Sequence, residues 1–246
     1  MPSPRWPGPQ QSRIFMSAPT ALREAPWHAG LRAARAHLVP GLVLQAFAIA
    51  LVVAYYWHPP THAALNALAA FRERTGWFYG IVATGIFGGV LPFVYLKLDP
   101  ATRSRYTLAQ GTVLVAYWAY KGFEVDLWYR VLNHVIGPGH GAGTIATKVF
   151  FDQFVYCPFY AVPAEMVFFA WCEAHFKTAP VWADLRAGHW YVRRALPLLF
   201  GNLGVWLPAV CAIYALPLPL QLPLFNLVLC FFTLMLTHMI KHPSSK

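Results

Sequence analysis

Ionisable side chains interrupt two of the most apolar stretches of this 246-residue chain. A charge inside a membrane-spanning helix is costly, so such residues usually face a bundle interior or a water-filled cavity. These residue types could pair with one another or line a path for small solutes. The candidate polar cluster consists of Lys121, Glu124, Asp126, Lys148, Asp152, Gln153 and Glu165.

Helical spacing predicts how these side chains group. Lys121 and Glu124 are i,i+3 neighbours, and Lys148 and Asp152 are i,i+4 neighbours, so each pair shares a helix face. Asp126 lies about 200° around the helix from Glu124 at 3.6 residues per turn, so it is expected on a different side. Two antiparallel helices would bring Lys121, Glu124 and Asp152 to a similar depth. Two interpretations stay open: the charges pair to hold helices in register, or they line a polar passage.

Catalytic and metal-binding patterns are missing from the sequence. It contains no HExxH metalloprotease motif, no GxSxG nucleophile elbow and no GxxxxGK[ST] phosphate loop. The four cysteines all lie in apolar runs without a CxxC pair, which is typical of small buried side chains. We therefore expect no enzyme activity, no catalytic residue, no metal and no cofactor.

The composition indicates a membrane protein. Hydrophobic residues make up 58% of the chain and charged residues only 11%, against about 25% charged in an ordinary soluble domain. The lipid bilayer is thus the first expected partner. The net charge of +10 resides mainly in short segments between apolar runs, which is the pattern of topology signals, so nucleic acid is not expected as a partner.

The apolar runs predict an all-α, polytopic transmembrane helix bundle. A spanning helix needs roughly 20 mostly apolar residues. The segment 61–76 is predicted to be a polar-faced connector, and the basic arm 1–37 is either a mitochondrial targeting segment or a cytoplasmic tail. About six spans are expected, at 38–57, 77–97, 107–129, 146–172, 196–216 and 219–240.

The basic residues predict the orientation of this bundle. With six spans, 14 of the 19 Lys and Arg residues fall on the side of the two termini and four on the opposite side. Positively charged loops stay on the cytoplasmic side. Both termini are therefore expected on the cytoplasmic or matrix side.

Four motifs in the later part of the chain resemble those of a known family. The most specific is KVFFDQFVYCP at 148–158, which is similar to a KxxxDQxxxxP pattern. The others are DPATRSRYTLAQG at 99–111, GFEVDLWYRVL at 122–132 and VWLPAVCAIYALPLPLQ at 205–221. This order of motifs resembles the Mpv-seventeen/peroxisomal membrane protein family. The sequence departs from the family pattern at Phe123, Asp126, Ile213 and Gln221.

The resemblance implies a five-helix membrane domain over 75–240, preceded by an additional helix at 38–57. It also implies a location in the mitochondrial inner membrane, a bacterial cytoplasmic membrane or the peroxisomal membrane. Besides Lys148, Asp152 and Gln153, it carries over motif residues with structural roles: Trp128, Tyr129, Pro158, Trp206, Pro208 and Pro217.

Two functions follow as hypotheses. The first is a channel-like pore for a small solute or ion, motivated by the embedded charges and by the weakly selective channel with which family members are associated. The alternative is a non-catalytic accessory or scaffold subunit of a membrane complex, or a homo-oligomer. In that case the small residues between Gly80 and Val90 would let a partner helix approach closely.

Overall fold

The computed structural model describes residues 38–100, 102–104, 106–174 and 176–241 of the chain. In these ranges the regular secondary structure is helical and no strand occurs. The all-α fold class predicted from the apolar runs is confirmed. The predicted basic arm, 1–37, lies outside the described residues.

Eight helices follow one another within the described ranges. Three of them are composed of consecutive segments: α3 of Trp77–Thr84, Gly85–Val90 and Leu91–Leu98, α5 of Ala142–Phe150, Phe151–Ala161 and Val162–Glu173, and α7 of Tyr191–Ala195 and Leu196–Tyr214. The remaining helices are α1 (Leu38–Trp57), α2 (Pro59–Thr75), α4 (Leu108–Ile136), α6 (Thr178–Arg186) and α8 (Leu218–Lys241).

Three helices are long and apolar enough to cross a membrane. They are α3, α7 and the Ala142–Cys172 portion of α5. A fourth span results if α1 and α2, which meet at a bend of 100°, count as one broken span. The apolar helices are compatible with an integral membrane protein. The predicted count of six spans is not confirmed.

Helix α4 differs most from its predicted form. The sequence predicts a span at 107–129, but the helix runs over 29 residues, from Leu108 to Ile136. It is long enough to cross a bilayer, yet it is not among the three apolar helices. Its central part carries four charged side chains, which lower its hydropathy: Lys121, Glu124, Asp126 and Arg130.

The predicted connector at 61–76 is largely helical, because most of it belongs to α2. Pro59 and Pro60 end α1, but they also occupy the first turn of α2, where a missing N–H is tolerated. The ring Nδ1 of His58 accepts a hydrogen bond from the Thr61 N–H at 3.4 Å and caps the new helix. The proline pair therefore bends the chain without ending helical structure.

Each π-helical segment in the described chain ends two residues before a proline. These segments are Gly85–Val90, Phe151–Ala161 and Tyr191–Ala195, and the prolines are Pro92, Pro163 and Pro197. In all three cases the residue just before the proline donates its N–H to the carbonyl five positions earlier. Proline removes one helical hydrogen bond and its ring crowds the preceding turn, and a widened turn relieves that crowding.

The chain divides into two compact units. Unit one contains Phe150–Leu207, and unit two contains Pro40–Val149 together with the chain from Pro208 onward. In unit one, the second half of α5 packs against the start of α7. Their shared core consists of Cys157, Val162, Met166, Ala195 and Leu199.

In unit two, α3 and α4 pack closely along a row of small residues. A Cβ added to Gly122 would lie 2.0 Å from the carbonyl oxygen of Gly80. One added to Gly85 would lie 3.4 Å from the Cβ of Ala119, so the two helices run antiparallel along this row. The close helix approach predicted from the glycines after Trp77 is confirmed, and its partner is α4 of the same chain.

Candidate functional site

Three charged side chains of unit two meet at Asp126 on α4. Its carboxylate is fully buried and accepts hydrogen bonds from Arg72 of α2 and Arg130 of α4. Arg72 donates through Nη2 to one oxygen, and Arg130 donates through Nε to the other at 3.1 Å. A second nitrogen of Arg72 binds the Leu218 carbonyl of α8 at 3.0 Å. Arg72 thereby links three helices.

Arg130 lies at the outer side of this arginine–aspartate cluster. Its side chain is 36% exposed, whereas those of Arg72 and Asp126 are 2% and 0% exposed. The guanidinium carbon of Arg130 is 4.6 Å from the centroid of the Trp77 ring, within the range of a cation–π interaction. Arg130 and Asp126 are i,i+4 neighbours, so helical geometry alone brings them together.

Lys121 and Glu124 form a second buried charge pair one turn earlier on α4. The Lys121 ammonium donates to Oε1 of Glu124, and both side chains are less than 10% exposed. The predicted i,i+3 pairing of these two residues is confirmed. Asp126 has its own partners, as its different angular position on the helix predicts.

A neutral polar pair lies beside the glycine row. The Thr84 hydroxyl donates to Oδ1 of Asn226 on α8 at 2.7 Å, and both residues are almost fully buried. The side-chain nitrogen of Asn226 has no hydrogen-bond partner. Thr84 also packs directly against Gly122, because a Cβ added to Gly122 would lie 2.7 Å from the Thr84 Cβ.

The turn between α7 and α8 is held by side chains from several parts of unit two. Unbound carbonyls at a buried turn would destabilise the fold, so each needs a donor. Donors and acceptors pair as follows: Tyr56 with Ala215 (2.6 Å), Arg72 with Leu218 (3.0 Å), His140 with Tyr214 (3.5 Å) and Gln221 with Leu216 (3.0 Å).

The remaining predicted polar residues lie along α5. Lys148 is 1% exposed, and its ammonium donates to the Asn133 side chain of unit two at 3.4 Å. In unit one, Asp152 and Gln153 are 4% and 2% exposed and hydrogen-bond to each other at 3.3 Å. Glu165 is half-buried.

No family model matches the chain, and no curated protein or solved structure matches it either. The resemblance to the Mpv-seventeen/peroxisomal membrane protein family therefore stays a prediction. The site is defined by its geometry alone.

The motif residues carried over by that resemblance occupy different environments. In unit two, Tyr129 is 2% exposed and its ring contacts Tyr214 at 5.5 Å between centroids. In unit one, the Pro158 carbonyl accepts a hydrogen bond from the Tyr191 hydroxyl at 2.9 Å. Of the others, Trp206 is buried, Trp128 and Pro217 are half-buried, and Pro208 is exposed.

Sequence reasoning missed Arg72, which lies in the segment taken as a connector. A signal was present, because Leu65, Leu68 and Arg72 follow the i, i+3, i+7 spacing of one helix face. That face is the inward one: the two leucines are half-buried and Arg72 is buried. Thr84 and Asn226 were also missed, since no short-range spacing connects them.

Proposed function

We propose that the chain is an integral membrane protein that forms a channel-like passage for small solutes or ions. The observation that supports this is the concentration of buried ionisable groups in unit two, where all but Arg72 lie within the proposed crossings α4 and α5. Charges at such positions typically mark solute or ion pathways. These groups are Arg72, Lys121, Glu124, Asp126 and Lys148, each less than 10% exposed.

The proposal includes six crossings, by α1, α3, α4, α5, α7 and α8, with both termini on the cytoplasmic or matrix side. Helix length supports it, because α1 has 20 residues, α4 has 29 and α8 has 24, and roughly 20 are needed. The charges of α4 do not exclude a crossing, since their pairing inside the bundle lowers the cost of burial. In this arrangement α2, bent by 100° from α1, is a connecting helix.

The proposal also includes the relation to the Mpv-seventeen/peroxisomal membrane protein family and a location in the mitochondrial inner membrane or the cytoplasmic membrane of a bacterium. The motif at 148–158 supports this part. Its three polar positions, Lys148, Asp152 and Gln153, are each 4% exposed or less, as expected for side chains with an internal role. The proposal assigns the chain no catalytic role.

Reconstitution tests the channel directly. Purified protein in planar bilayers should give discrete conductance steps, and liposomes containing it should leak small solutes. Mock preparations purified in parallel from cells without the protein serve as the control. Protein that inserts in a folded form but gives neither conductance nor solute flux would refute the proposal.

A scaffold subunit is the second candidate, favoured by the ion pairing in unit two. Glu124 and Asp126 each have a basic partner within the chain, and the Asp126–Arg72 pair joins α4 to α2 without any solute. Gentle solubilisation followed by native mass spectrometry separates the two functions. A scaffold should co-purify with a stoichiometric partner, whereas a channel should appear alone or as a homo-oligomer.

A further inference from the structure

The arginine–aspartate cluster carries more positive than negative charge. Two guanidinium groups, of Arg72 and Arg130, share the single carboxylate of Asp126, which leaves one net positive charge. Burial makes an uncompensated charge expensive because the surrounding protein solvates it poorly. A second negative group at this place would lower that cost.

The start of α8 adds to the positive potential at the same place. Arg72 reaches the carbonyl of Leu218, the first residue of this 24-residue helix. The aligned peptide dipoles of a helix sum to about half a positive charge at its N-terminus. The cluster therefore combines two cations and a positive helix end against one carboxylate.

One donor in this cluster has no acceptor. The Nε–H of Arg72 is buried and makes no hydrogen bond, although the other two nitrogens of this guanidinium do. A buried donor without an acceptor costs about 1–3 kcal/mol. An oxygen-bearing anion would supply the missing acceptor and the missing charge together, which neither a cation nor an apolar ligand can do.

Within the described residues, the other ion pair of unit two is balanced, because Lys121 is paired with Glu124. In the arginine–aspartate cluster two cations share one carboxylate, so an excess positive charge lies at Asp126. Its contact with the exterior is Arg130, which is 36% exposed and stacks on a Trp77 side chain that is 40% exposed.

We infer that Arg72, Asp126 and Arg130 form a recognition site for an oxyanion, a carboxylate or a phosphate group. Building on the proposed function, this makes the permeating solute a small anion. Arginine suits this role because its planar fork of N–H donors matches the oxygens of carboxylate and phosphate. The partly exposed Arg130 contacts the anion first. The two guanidinium groups around Asp126 then bind it.

Ion selectivity is the first test. Under a potassium chloride gradient, the reversal potential of wild-type channels should have the sign of the chloride equilibrium potential, as expected for anion-selective channels. Arg130→Gln should move it toward zero or beyond, whereas Arg74→Gln, which removes an equal charge from the exposed face of α2, should leave it unchanged. Cation-selective wild-type channels, or channels whose reversal potential Arg130→Gln does not move, would overturn the inference.

Binding without conduction is the second test. In a maltoside detergent, inorganic phosphate at several times its Kd should raise the Tm of the wild type by roughly 2–4 °C. Arg130→Gln should lose this increase and Arg74→Gln should keep it. If short-chain phosphatidylglycerol stabilises the protein and inorganic phosphate does not, the site holds a lipid headgroup and the assignment to a solute is overturned.

The two tests distinguish failure of the anion site from failure of the channel. Stabilisation by phosphate that depends on Arg130, without any conductance, would leave the anion site standing and reject the channel. Conductance without anion preference, together with no stabilisation by phosphate, would leave the channel standing and reject the anion site.

Discussion

The side chains of Arg72 and Asp126 form a buried ion pair that joins α2 to α4 across 54 residues of sequence. The pair makes α2 part of the core of unit two. Because Arg72 also binds the start of α8, the contact fixes three helices at one point. Its strength can be measured by removing each partner.

Asp126→Leu should strongly destabilise the protein, because it leaves Arg72 charged and buried without its partner. Breaking a buried pair from one side costs about 3–5 kcal/mol. In a chain of this size that corresponds to a Tm decrease of roughly 6–20 °C. Thermal unfolding of the purified protein in detergent measures the change.

The double variant Arg72→Met/Asp126→Leu is the informative companion. Replacing a whole buried pair with apolar residues of similar volume is often nearly neutral, so most of the Tm should return. Asp184→Asn is the matched surface control. It removes a carboxylate that pairs with the partly exposed Arg193 and Arg194, and it should cost at most about 1 kcal/mol. An equal decrease in Tm for Asp126→Leu and for the double variant would contradict the conclusion that Arg72 and Asp126 stabilise the fold as a pair.

Gly122→Ala should disrupt the packing of α3 against α4. The new methyl group would lie 2.0 Å from the backbone carbonyl of Gly80, which cannot move without shifting the helix. Overpacking of this kind costs about 1–3 kcal/mol or more. Gly201→Ala is the control, because that helical glycine has no atom within 4 Å of the added Cβ. It should be neutral or stabilising by up to about 1 kcal/mol. Similar Tm values for both variants would show that the glycine row is not tightly packed.

A double-mutant cycle on Thr84 and Asn226 should show strong coupling. Thr84→Val keeps the shape but removes the hydroxyl, which leaves the Asn226 amide buried with no partner for its oxygen or its nitrogen. That should cost about 1–3 kcal/mol. Thr84→Val/Asn226→Leu removes both polar groups and should be close to wild type in thermal stability. Additive losses would mean that the two side chains do not depend on each other.

Local spacing accounts for what the sequence could predict at the site. Lys121 and Glu124 lie three residues apart, so their pairing follows from helix geometry. The separate environment of Asp126 follows in the same way, from its angle on the helix. The apolar runs likewise predicted the helices, because a polar backbone in an apolar environment must bond within its own segment.

Long-range partners account for what the sequence could not predict. Arg72 and Asp126 lie on helices that meet only through tertiary packing, and no spacing rule connects residues 54 positions apart. The segment around Arg72 was predicted only as a polar-faced connector, so the helix face that carries Arg72 into the core was missed. Thr84 and Asn226, 142 residues apart, belong to the same class.

Neutralising Lys121 shows whether its charge lines a passage or only pairs with Glu124 within α4. If Lys121 faces permeating ions, Lys121→Met should raise the permeability of cations relative to anions, because a fixed positive charge near the path is lost. The shift should be larger at low salt, where the Debye length is about 30 Å at 0.01 M against about 3 Å at 1 M. Reversal potentials at both salt levels measure it, with the exposed Lys177→Met as control. An unchanged reversal potential together with a lowered Tm would show that the Lys121–Glu124 pair stabilises the fold and does not line a passage.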